Sequence, residues 1–470
     1  MPPPAVQPDT SIRALDPVDR AVIRYNIGED NWASPWVPNL AQPGQRVRLS
    51  ARQVIDVVIL GDGYTTREPF EDELEEWAAD FYALEVYRQF AGAFRIRALF
   101  TRSAAKCDLE NRNTYYQVKA DDDGVYRKDG WWNDAGPKNT AFRTRVQDSL
   151  DRFTLNHVRY PTTMTVEDNP VIHDVLAGLK SNLVLVMLVR TATNSNTEGM
   201  TRVIDTLHLN VGFGSHSIHE FGHAFAYLED EYIDERNRPG EENSIATRTN
   251  PAIPSVFTLS NLTFDPHVAA ALWGHLSPWG KVRRTASGTM QSPVVGWLWR
   301  GGEDDLGVWH SEYHCLMNGR NHENYAYSDD EGDATKKTDL RFREPVMFCL
   351  WCQELVAMRI LEKTGQLART DDPEDINARG RMWYARWVQE FRQRYWDFFD
   401  LPYQIQQREA IYANPESYPD SDTFKELKDG AGNYRPLAGS NLYQPFNAKR
   451  LPASAPPAWS EAEEILVTNG

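Results

Sequence analysis

The hydrophobic pattern of the first half of the chain alternates between strand-like runs and helix-like spacing. The run "VIDVVILGDGY" (54–64) is largely apolar and ends in a glycine-rich turn, which predicts a buried strand. In residues 67–90 the apolar positions recur at helical spacing, with acidic residues on the other face. The apolar face predicted for this helix contains Phe70, Leu74, Trp77, Phe81 and Leu84. Next, "AFRIRALFTRS" (93–103) alternates apolar and basic residues, as a half-exposed strand does.

The same succession continues up to a histidine-rich segment. The pattern predicts a helix around 141–153, a buried strand at "LVLVMLV" (183–189) and an alternating edge strand at "VIDTLHLNV" (203–211). The segment "HSIHEFGHAFAYLEDEY" (216–232) then shows helical spacing of its apolar residues. Strands and helices in this order predict a three-layer α/β (α+β) fold with a mixed sheet.

The second half of the chain has weaker periodicity. Residues 236–345 contain many Gly, Pro, Asn and Asp residues and few long periodic runs. Two later stretches, 347–363 and the aromatic-rich stretch that starts at Met382, predict helices. Residues 401–470 are rich in Pro and Tyr, and their aromatic content argues against full disorder. We therefore expect an extended C-terminal wrap.

The net charge of −17 on 470 residues narrows the range of partners. Proteins that bind nucleic acid or anionic membranes usually carry positive charge, so neither partner is expected. No run approaches the roughly 20 apolar residues of a membrane-spanning helix. The N-terminus lacks a charged segment followed by an apolar one, so no signal peptide is visible in this chain.

The four cysteines are Cys107, Cys315, Cys349 and Cys352, and the last two form a CxxC pair in "FCLWC". A zinc ribbon requires a second CxxC pair, and the chain has none. We expect a structural disulfide from Cys315 to Cys349 or Cys352, with free thiols as the alternative.

The histidine segment carries the main candidate chemistry. His219 and His223 are spaced i, i+4, so a helix places both imidazoles on one face, roughly 6 Å apart along its axis. Glu220 lies about 100° round the helix from His219, where it can reach a metal-bound water. Neutral imidazoles leave Zn²⁺ with most of its charge, so a bound water becomes acidic and a nearby carboxylate takes its proton. The pattern HExxH predicts a catalytic zinc site. The opposite side of this helix is a predicted buried stripe of Ile218, Phe221, Phe225 and Leu228.

The candidates for the third zinc ligand are the acidic residues that follow the histidines. On a straight helix Asp230 faces the same way as His223 but lies roughly 10 Å farther along the axis. It can share the ion only if the helix ends near Ala226 and the chain turns back. Glu229, Glu231 and Asp234 compete for the same role.

The segment "HEFGHAFAYLEDEY" resembles the signature of the IgA-peptidase family of bacterial zinc metallopeptidases, in which HEFGH is followed by Leu-x-Asp-Glu-Tyr. The stretches "VVILGDGYT" and "FRIRALFTRS" are similar to the family's opening strands. Later family segments are similar to "EENSIATRTN" with "LWGH", to "VGWLWRGGEDDLGVWHSEYHCLM" and to "MFCLWCQELVAMRI". The resemblance covers about residues 52–365.

The resemblance implies a zincin-like metallopeptidase domain at 52–365. An N-terminal segment (1–51) would pack on this domain, and a C-terminal wrap (366–470) would follow with no assigned role. The resemblance also implies secretion and endopeptidase activity on protein or peptide substrates. It assigns His219 and His223 as Zn²⁺ ligands and Glu220 as general base, and it favours Asp230 as the third ligand.

Three further residues and two other functions stay open at this point. Met317 is either an apolar floor beneath the metal or an ordinary core methionine. His310 and Tyr313, in "VWHSEY" where the family more usually has Tyr-Arg-Pro, are either transition-state donors or surface residues. The alternative functions are a non-catalytic zincin scaffold that binds glycan or protein, and an amidase that acts on cell-wall peptide.

Overall fold

The protein has a mixed α/β fold built around one large sheet. The structure is a computed structural model. It describes residues 10–14, 22–28, 36–42, 45–106, 114–116, 140–153, 182–190, 200–205, 208–212, 215–226, 228–229, 231, 261–262, 272–276, 298–300, 309–312, 315–318, 347–367, 386–405 and 443–444.

The strands form one large sheet and two small ones. In chain order they are β1 (Ile12–Ala14), β2 (Val22–Ile27), β3 (Trp36–Pro38), β4 (Arg46–Arg48), β5 (Ile55–Asp62), β6 (Phe94–Thr101), β7 (Leu183–Val189), β8 (Met200–Asp205), β9 (His208–Gly212), β10 (Leu298–Arg300), β11 (Trp309–His310) and β12 (Tyr443–Gln444). The large sheet has the order β1-β2-β6-β5-β7-β8-β9, and the small sheets are β11-β10-β12 and β3-β4. Strand β5 is parallel to β6 and β7, and the other neighbours in the large sheet are antiparallel.

The helices fall where the apolar spacing predicts them. They are α1 (Glu68–Ala83), α2 (Glu85–Gln89), α3 (Thr140–Arg152), α4 (Ser215–Ala226), α5 (Leu350–Lys363) and α6 (Arg392–Phe399). A π-helical turn (Trp387–Phe391) precedes α6, and 3-10 turns lie at Ala91–Ala93, Gly274–Leu276 and Leu316–Asn318. All five residues of the apolar face predicted for residues 67–90 are buried. None of the described helices is long and apolar enough to cross a bilayer.

The predicted edge strand at 203–211 is wrong in one respect. The chain forms a hairpin there, in which Asp205 pairs with His208, so β9 is the edge strand and β8 lies inside it. The apolar alternation of the sequence continues from β8 into β9 and does not mark the boundary between the two strands. The two connecting residues, Thr206 and Leu207, include no Gly, Asn or Asp, the usual signals of such a turn.

The main sheet carries helices on both faces. Inward residues such as Val57 and Ile96 join a core with α1, α4 and α5. Side chains alternate between the faces of a strand, so Arg97 lies on the opposite face from Ile96. Arg97 donates to the carbonyl of Phe153 at 2.9 Å, just after the end of α3. Helix α3 therefore covers the second face, as a layered α/β fold requires.

Helix α4 is held by an aromatic cluster behind it. The ring of Phe221 meets Trp77, Phe81 and Tyr87 edge-on, with centroids 6.0, 5.3 and 5.6 Å away. Phe225 stacks on Phe221 at 5.3 Å. Edge-on aromatic pairs of this kind contribute about 0.5–1.5 kcal/mol each beyond area burial. The cluster therefore fixes the rotation of α4 about its axis, and with it the direction of the polar face.

Segments from both ends of the chain pack on the central fold. Strands β1 and β2 extend the main sheet beside β6. Near the other end, the indole Nε1 of Trp387 donates to the buried carboxylate of Glu354 on α5 at 3.0 Å. Arg392 Nε lies 3.4 Å from the same carboxylate. The division of the chain at residues 51 and 366 stays a prediction.

Candidate metal centres

Helix α4 separates an apolar face from a polar one. Ile218, Phe221 and Phe225 are fully buried against the core, and Leu228 is buried just beyond the helix, which confirms the predicted stripe. The imidazoles of His219 and His223 lie on the other side, where His219 is 3 % exposed and His223 is partly exposed. The i, i+4 spacing therefore brings two metal-binding side chains together at the edge of the core.

The two imidazoles point their Nε2 atoms at each other, 2.9 Å apart. The Nδ1 atom of His219 lies 2.8 Å from the Leu316 carbonyl oxygen, and Nδ1 of His223 contacts the Leu228 carbonyl oxygen. A carbonyl oxygen only accepts hydrogen bonds, so each Nδ1 carries a proton and each neutral ring presents an unprotonated Nε2. Two such nitrogens repel each other unless a proton or a cation lies between them.

The separation of the nitrogens is close to that of a chelating pair. Two imidazoles bound to a tetrahedral zinc ion, each at 2.0–2.1 Å, place their nitrogens about 3.3 Å apart. The pair at 2.9 Å therefore needs only a few tenths of an ångström of opening to hold such an ion. Histidine ligands in metalloproteins commonly donate their second N–H to a carbonyl, which is the arrangement of both rings here.

Helix α4 ends where a shared ion requires it to end. Its last residue is Ala226, and the chain then folds back so that Leu228 N bonds to the Gly222 carbonyl at 3.4 Å. The end of the helix near Ala226, one of the two conditions for a third ligand from the following acids, is therefore confirmed. Gly222 also allows Met317 to approach, because a Cβ at this position would lie 3.0 Å from the Met317 sulfur. Met317 is a fully buried residue packed on the helix between the two histidines.

The remaining residues of the predicted site are only partly described. Glu220 lies within α4, but its side chain, and the whole of Asp230, lie outside the described residues, as do Asp234 and Tyr313. Glu229 is exposed, and both its backbone N–H and its carbonyl bond to the Asn261 side chain, at 2.7 and 2.8 Å. Within the described part of the chain, no carboxylate groups with the two histidines.

A second group of potential metal ligands lies in the core beside the histidine pair. It consists of Glu231, Cys315, Cys349 and Cys352, all buried, and we call it the thiol cluster. One carboxylate oxygen and the three sulfurs lie within 4.8 Å of one another. The buried thiol cluster could hold a metal ion. Glu231, a competitor for the third ligand of the histidine pair, therefore belongs to this group instead.

Several hydrogen-bond donors point at the thiol cluster. Cys349 is the N-cap of α5, and its sulfur accepts from the backbone N–H of Cys352 at 3.3 Å. The N–H of Cys349 donates to the Cys315 sulfur at 3.3 Å, and the Ser311 hydroxyl donates to the Cys349 sulfur at 3.2 Å. The Cys352 thiol lies 3.2 Å from Glu231 Oε1. Donors at a sulfur favour its thiolate form.

Electrostatics divide the cluster into unequal members. Burial raises the pKa of the Cys315 and Cys352 thiols well above the ordinary value. Burial also acts to raise the pKa of Cys349, but hydrogen bonds from Cys315, Cys352 and Ser311 outweigh it and hold that pKa well below the ordinary value. Burial, and then the charge of Cys349, raise the pKa of the Glu231 carboxyl. Of the four groups in the thiol cluster, Cys349 is therefore the one whose deprotonated form is favoured.

The thiol cluster corrects two expectations from the sequence. Cys315, Cys349 and Cys352 are free thiols, so the expected disulfide is wrong; Cys107 lies outside the described residues. A metal-binding group does not require the second CxxC pair of a zinc ribbon, because a lone cysteine and an acid complete this one with the CxxC pair. The available signal was Cys315, thirty-odd residues before the CxxC pair, together with the acidic segment that follows the histidines. Asn261, which bonds to Glu229 and Glu231, has no comparable sequence signal.

His310 also differs from its expected position. Its imidazole is buried, with Nδ1 donating to the Glu312 carbonyl at 2.9 Å and lying 3.6 Å from Glu231 Oε2. The surface alternative for His310 is therefore wrong. Its neighbours place it beside the thiol cluster, where it contributes a polar contact to the acidic group.

The two centres share two chain segments. The segment 228–231 supplies the carbonyl that contacts His223 and the Glu231 carboxylate. The segment 315–317 supplies the Cys315 sulfur and the Leu316 carbonyl that accepts from His219. The segments are joined by a hydrogen bond from Glu231 N to the Met317 carbonyl, 2.7 Å long. A change that moves one centre therefore moves the anchors of the other.

No protein-family model matches the chain, and no curated protein matches it. The chemistry of the site is therefore argued from the geometry of these residues.

Proposed function

We propose that the protein is a zinc-dependent endopeptidase with its active site at the histidine pair of α4. The observation that carries the proposal is the convergence of two Nε2 atoms, 2.9 Å apart, whose rings are oriented by backbone carbonyls. That arrangement leaves two lone pairs for one cation. The fold in this proposal is zincin-like, with α4 as the active-site helix beside the edge of the mixed sheet.

The proposed ligands are His219, His223 and Asp230. Asp230 is supported by its neighbours, because Glu229 is anchored to Asn261 and Glu231 to the Met317 carbonyl. The Glu231 carboxylate belongs to the thiol cluster and the Glu229 side chain is exposed, so we favour Asp230 over both as the third ligand. A zinc ion bound there would polarise a substrate carbonyl and acidify a water molecule.

Glu220 is the proposed general base. It follows His219 directly on α4, about 100° round the helix axis, so its position is beside the ligand face and not on it. A carboxylate there would accept the proton of the attacking water and pass it to the leaving amine. Proton transfer by a positioned side chain contributes typically 10²–10⁴-fold to the rate.

The edge strand β9 is the proposed docking site for an extended peptide. It lies at the end of the main sheet, and α4 begins three residues after it and packs against it. An edge strand offers unpaired backbone groups, to which a substrate can add as a further strand. The substrate class in this proposal is a protein or peptide. Secretion stays an expectation from the resemblance.

Replacement of Glu220 by Gln tests the proposal. The amide keeps the size of the side chain but does not accept the proton, so we expect zinc content to be unchanged and peptide hydrolysis to fall by about 10²–10⁴-fold. Zinc would be measured by elemental analysis and cleavage by digestion of a mixed peptide library. Glu229→Gln is the matched control, since the Glu229 side chain is exposed, and it should keep full activity.

The outcomes separate the function from its rivals. Undiminished hydrolysis by the Glu220→Gln variant would reject Glu220 as the base. Zinc bound to the wild-type chain without cleavage of any library peptide would favour the non-catalytic scaffold. Cleavage of cell-wall peptide alone would favour the amidase.

A further inference from the structure

We infer that the thiol cluster of Glu231, Cys315, Cys349 and Cys352 is a second zinc site, structural in role and distinct from the histidine pair. Its ligands would be three sulfurs and one carboxylate oxygen. The inference does not depend on catalysis at α4.

The spacing of the cluster fits one tetrahedral ion. Sulfurs bound to zinc at about 2.3 Å lie about 3.8 Å from one another. The four ligand atoms of the cluster all lie within 4.8 Å of one another and come from three separate parts of the chain. Four residues that meet at this spacing supply a complete shell, which is the mark of a closed structural site.

The hydrogen bonds around the cluster are those that a bound metal thiolate needs. The N–H of Cys352 reaches the sulfur of Cys349, and the N–H of Cys349 reaches the sulfur of Cys315. Asn261 Nδ2 donates to Glu231 Oε1 at 2.9 Å and fixes the rotation of the carboxylate. Outer donors of this kind orient metal ligands and tune their basicity.

One atom of the cluster has no hydrogen-bond partner among the described residues. Glu231 is 1 % exposed, and its Oε2 atom is fully buried and accepts no hydrogen bond from the described residues. His310 Nδ1 lies 3.6 Å from Oε2 and already donates to the Glu312 carbonyl. A buried carboxylate oxygen without a donor is costly. The other oxygen of this carboxylate, Oε1, faces the sulfurs of Cys352 and Cys349 at 3.2 and 3.9 Å, so a cation bound there would offset the charge of the buried group.

Charge balance also favours a soft divalent cation. The site gathers four groups that become negative on deprotonation, in a region closed to water. A dication neutralises two of the charges and releases protons from the thiols as it binds. Thiolate sulfur selects soft or borderline metals, and zinc suits a tetrahedral set that includes a carboxylate oxygen. Cys315, Cys349 and Cys352 are free thiols, so all three sulfurs are available as ligands.

The test compares zinc content and zinc ligands in the full chain and its variants. The double variant His219→Ala with His223→Ala removes both imidazoles of the other site. We expect the wild-type chain to bind two zinc ions and the double variant to retain one, with sulfur at about 2.3 Å in X-ray absorption. Cys349→Ser should lose the sulfur-bound ion, whereas Cys107→Ser, which changes a cysteine that is not among the four proposed ligands, should keep both.

The result distinguishes this inference from the proposed function. Zinc with a sulfur shell in the histidine double variant supports the thiol site, whatever the peptidase assay shows. Zinc in the wild-type chain with only nitrogen and oxygen neighbours overturns the thiol site and leaves the histidine site standing. An X-ray absorption spectrum of the wild-type chain gives the same answer if the Cys349→Ser variant does not fold.

Discussion

The histidine pair and the thiol cluster are held by the same two chain segments, 228–231 and 315–317, but they differ in exposure and in ligand chemistry. His223 is partly exposed, and its ring is neutral when it binds a metal. The thiol cluster is buried throughout and supplies sulfur and carboxylate. A catalytic metal needs a position open to substrate, whereas a structural metal is fully enclosed by the protein. In our proposals the first centre carries out the chemistry and the second stabilises the fold.

The shared segments couple the structures of the two centres. Leu316, whose carbonyl accepts from His219, follows Cys315 directly in the chain. A metal held by Cys315 would therefore stiffen the carbonyl that fixes the tautomer of His219. Binding sites work best when their ligands are held by a rigid outer layer. In this interpretation the buried site orients the open one.

The largest effect expected is on catalysis, from His223→Ala. Loss of one imidazole removes the proposed catalytic ion, so peptide hydrolysis should fall by about three orders of magnitude or more. The free energy of unfolding should change by about 1 kcal/mol or less, because the side chain is partly exposed. Cleavage assays and urea unfolding measure the two quantities. A large loss of stability with retained cleavage would reverse the roles of the two centres.

The converse effect is expected from Cys349→Ser. Removal of a ligand from the buried cluster should lower the free energy of unfolding by roughly 3–5 kcal/mol, the size of effect that follows loss of a structural metal ligand. Chemical unfolding in the presence of zinc would measure it. Arg394→Gln, at an exposed position of α6, is the control and should show a change of about 0.5 kcal/mol or less. An equal loss of unfolding free energy in the Cys349→Ser variant and in the control would contradict a stabilising role for the thiol cluster.

Acid should weaken the contacts on α5, beyond the thiol cluster. Burial and then Arg392 lower the pKa of His275, and the pKa of Glu354 is also lowered, because His275 and Arg392 outweigh the effect of its burial. A group with a lowered folded pKa stabilises the fold above its unfolded pKa and loses that contribution as the pH falls. We expect the stability to decline as the pH falls below 6.5, where an unfolded histidine takes up a proton, and again below 4.5.

Urea unfolding across this pH range checks the sign. His275→Gln keeps a polar side chain beside Glu354 but cannot titrate, so the decline near pH 6.5 should be absent in that variant. A wild-type stability that rises as the pH falls below 6.5 would contradict the assignment.

The sequence predicts most features of the histidine pair and few features of the thiol cluster. Local periodicity marks α4 and its apolar stripe, because Ile218, Phe221 and Phe225 recur at helical spacing, and the i, i+4 histidines follow from the same geometry. The thiol cluster depends on contacts between Glu231, Cys315 and the start of α5, which are far apart in the chain. No local pattern encodes such contacts.

Two further misses have the same physical origin. The hairpin at Asp205 and His208 interrupts no apolar alternation, so periodicity alone merged β8 and β9 into one strand. The link between Trp387 and Glu354 joins residues 33 positions apart and is a property of packing. Periodicity indicates which face of a helix or strand is buried, but it does not indicate which other element packs against that face.

The smallest effect expected separates the two centres most sharply, because it changes one hydrogen bond to one sulfur. The Ser311 hydroxyl donates to the Cys349 sulfur at 3.2 Å and touches neither histidine in the described contacts. Ser311→Ala should weaken zinc binding by the thiol cluster about 10–100-fold, the usual effect of losing an outer hydrogen bond to a metal ligand. The zinc affinity would be measured by competition with a chromophoric chelator. In the His219→Ala, His223→Ala background this measurement reports only the ion bound by the thiol cluster. Ser311→Thr retains the hydroxyl and should keep most of the affinity. An unchanged affinity in the alanine variant would mean that the Cys349 sulfur carries no metal, since a thiolate that binds zinc responds to the loss of its donor.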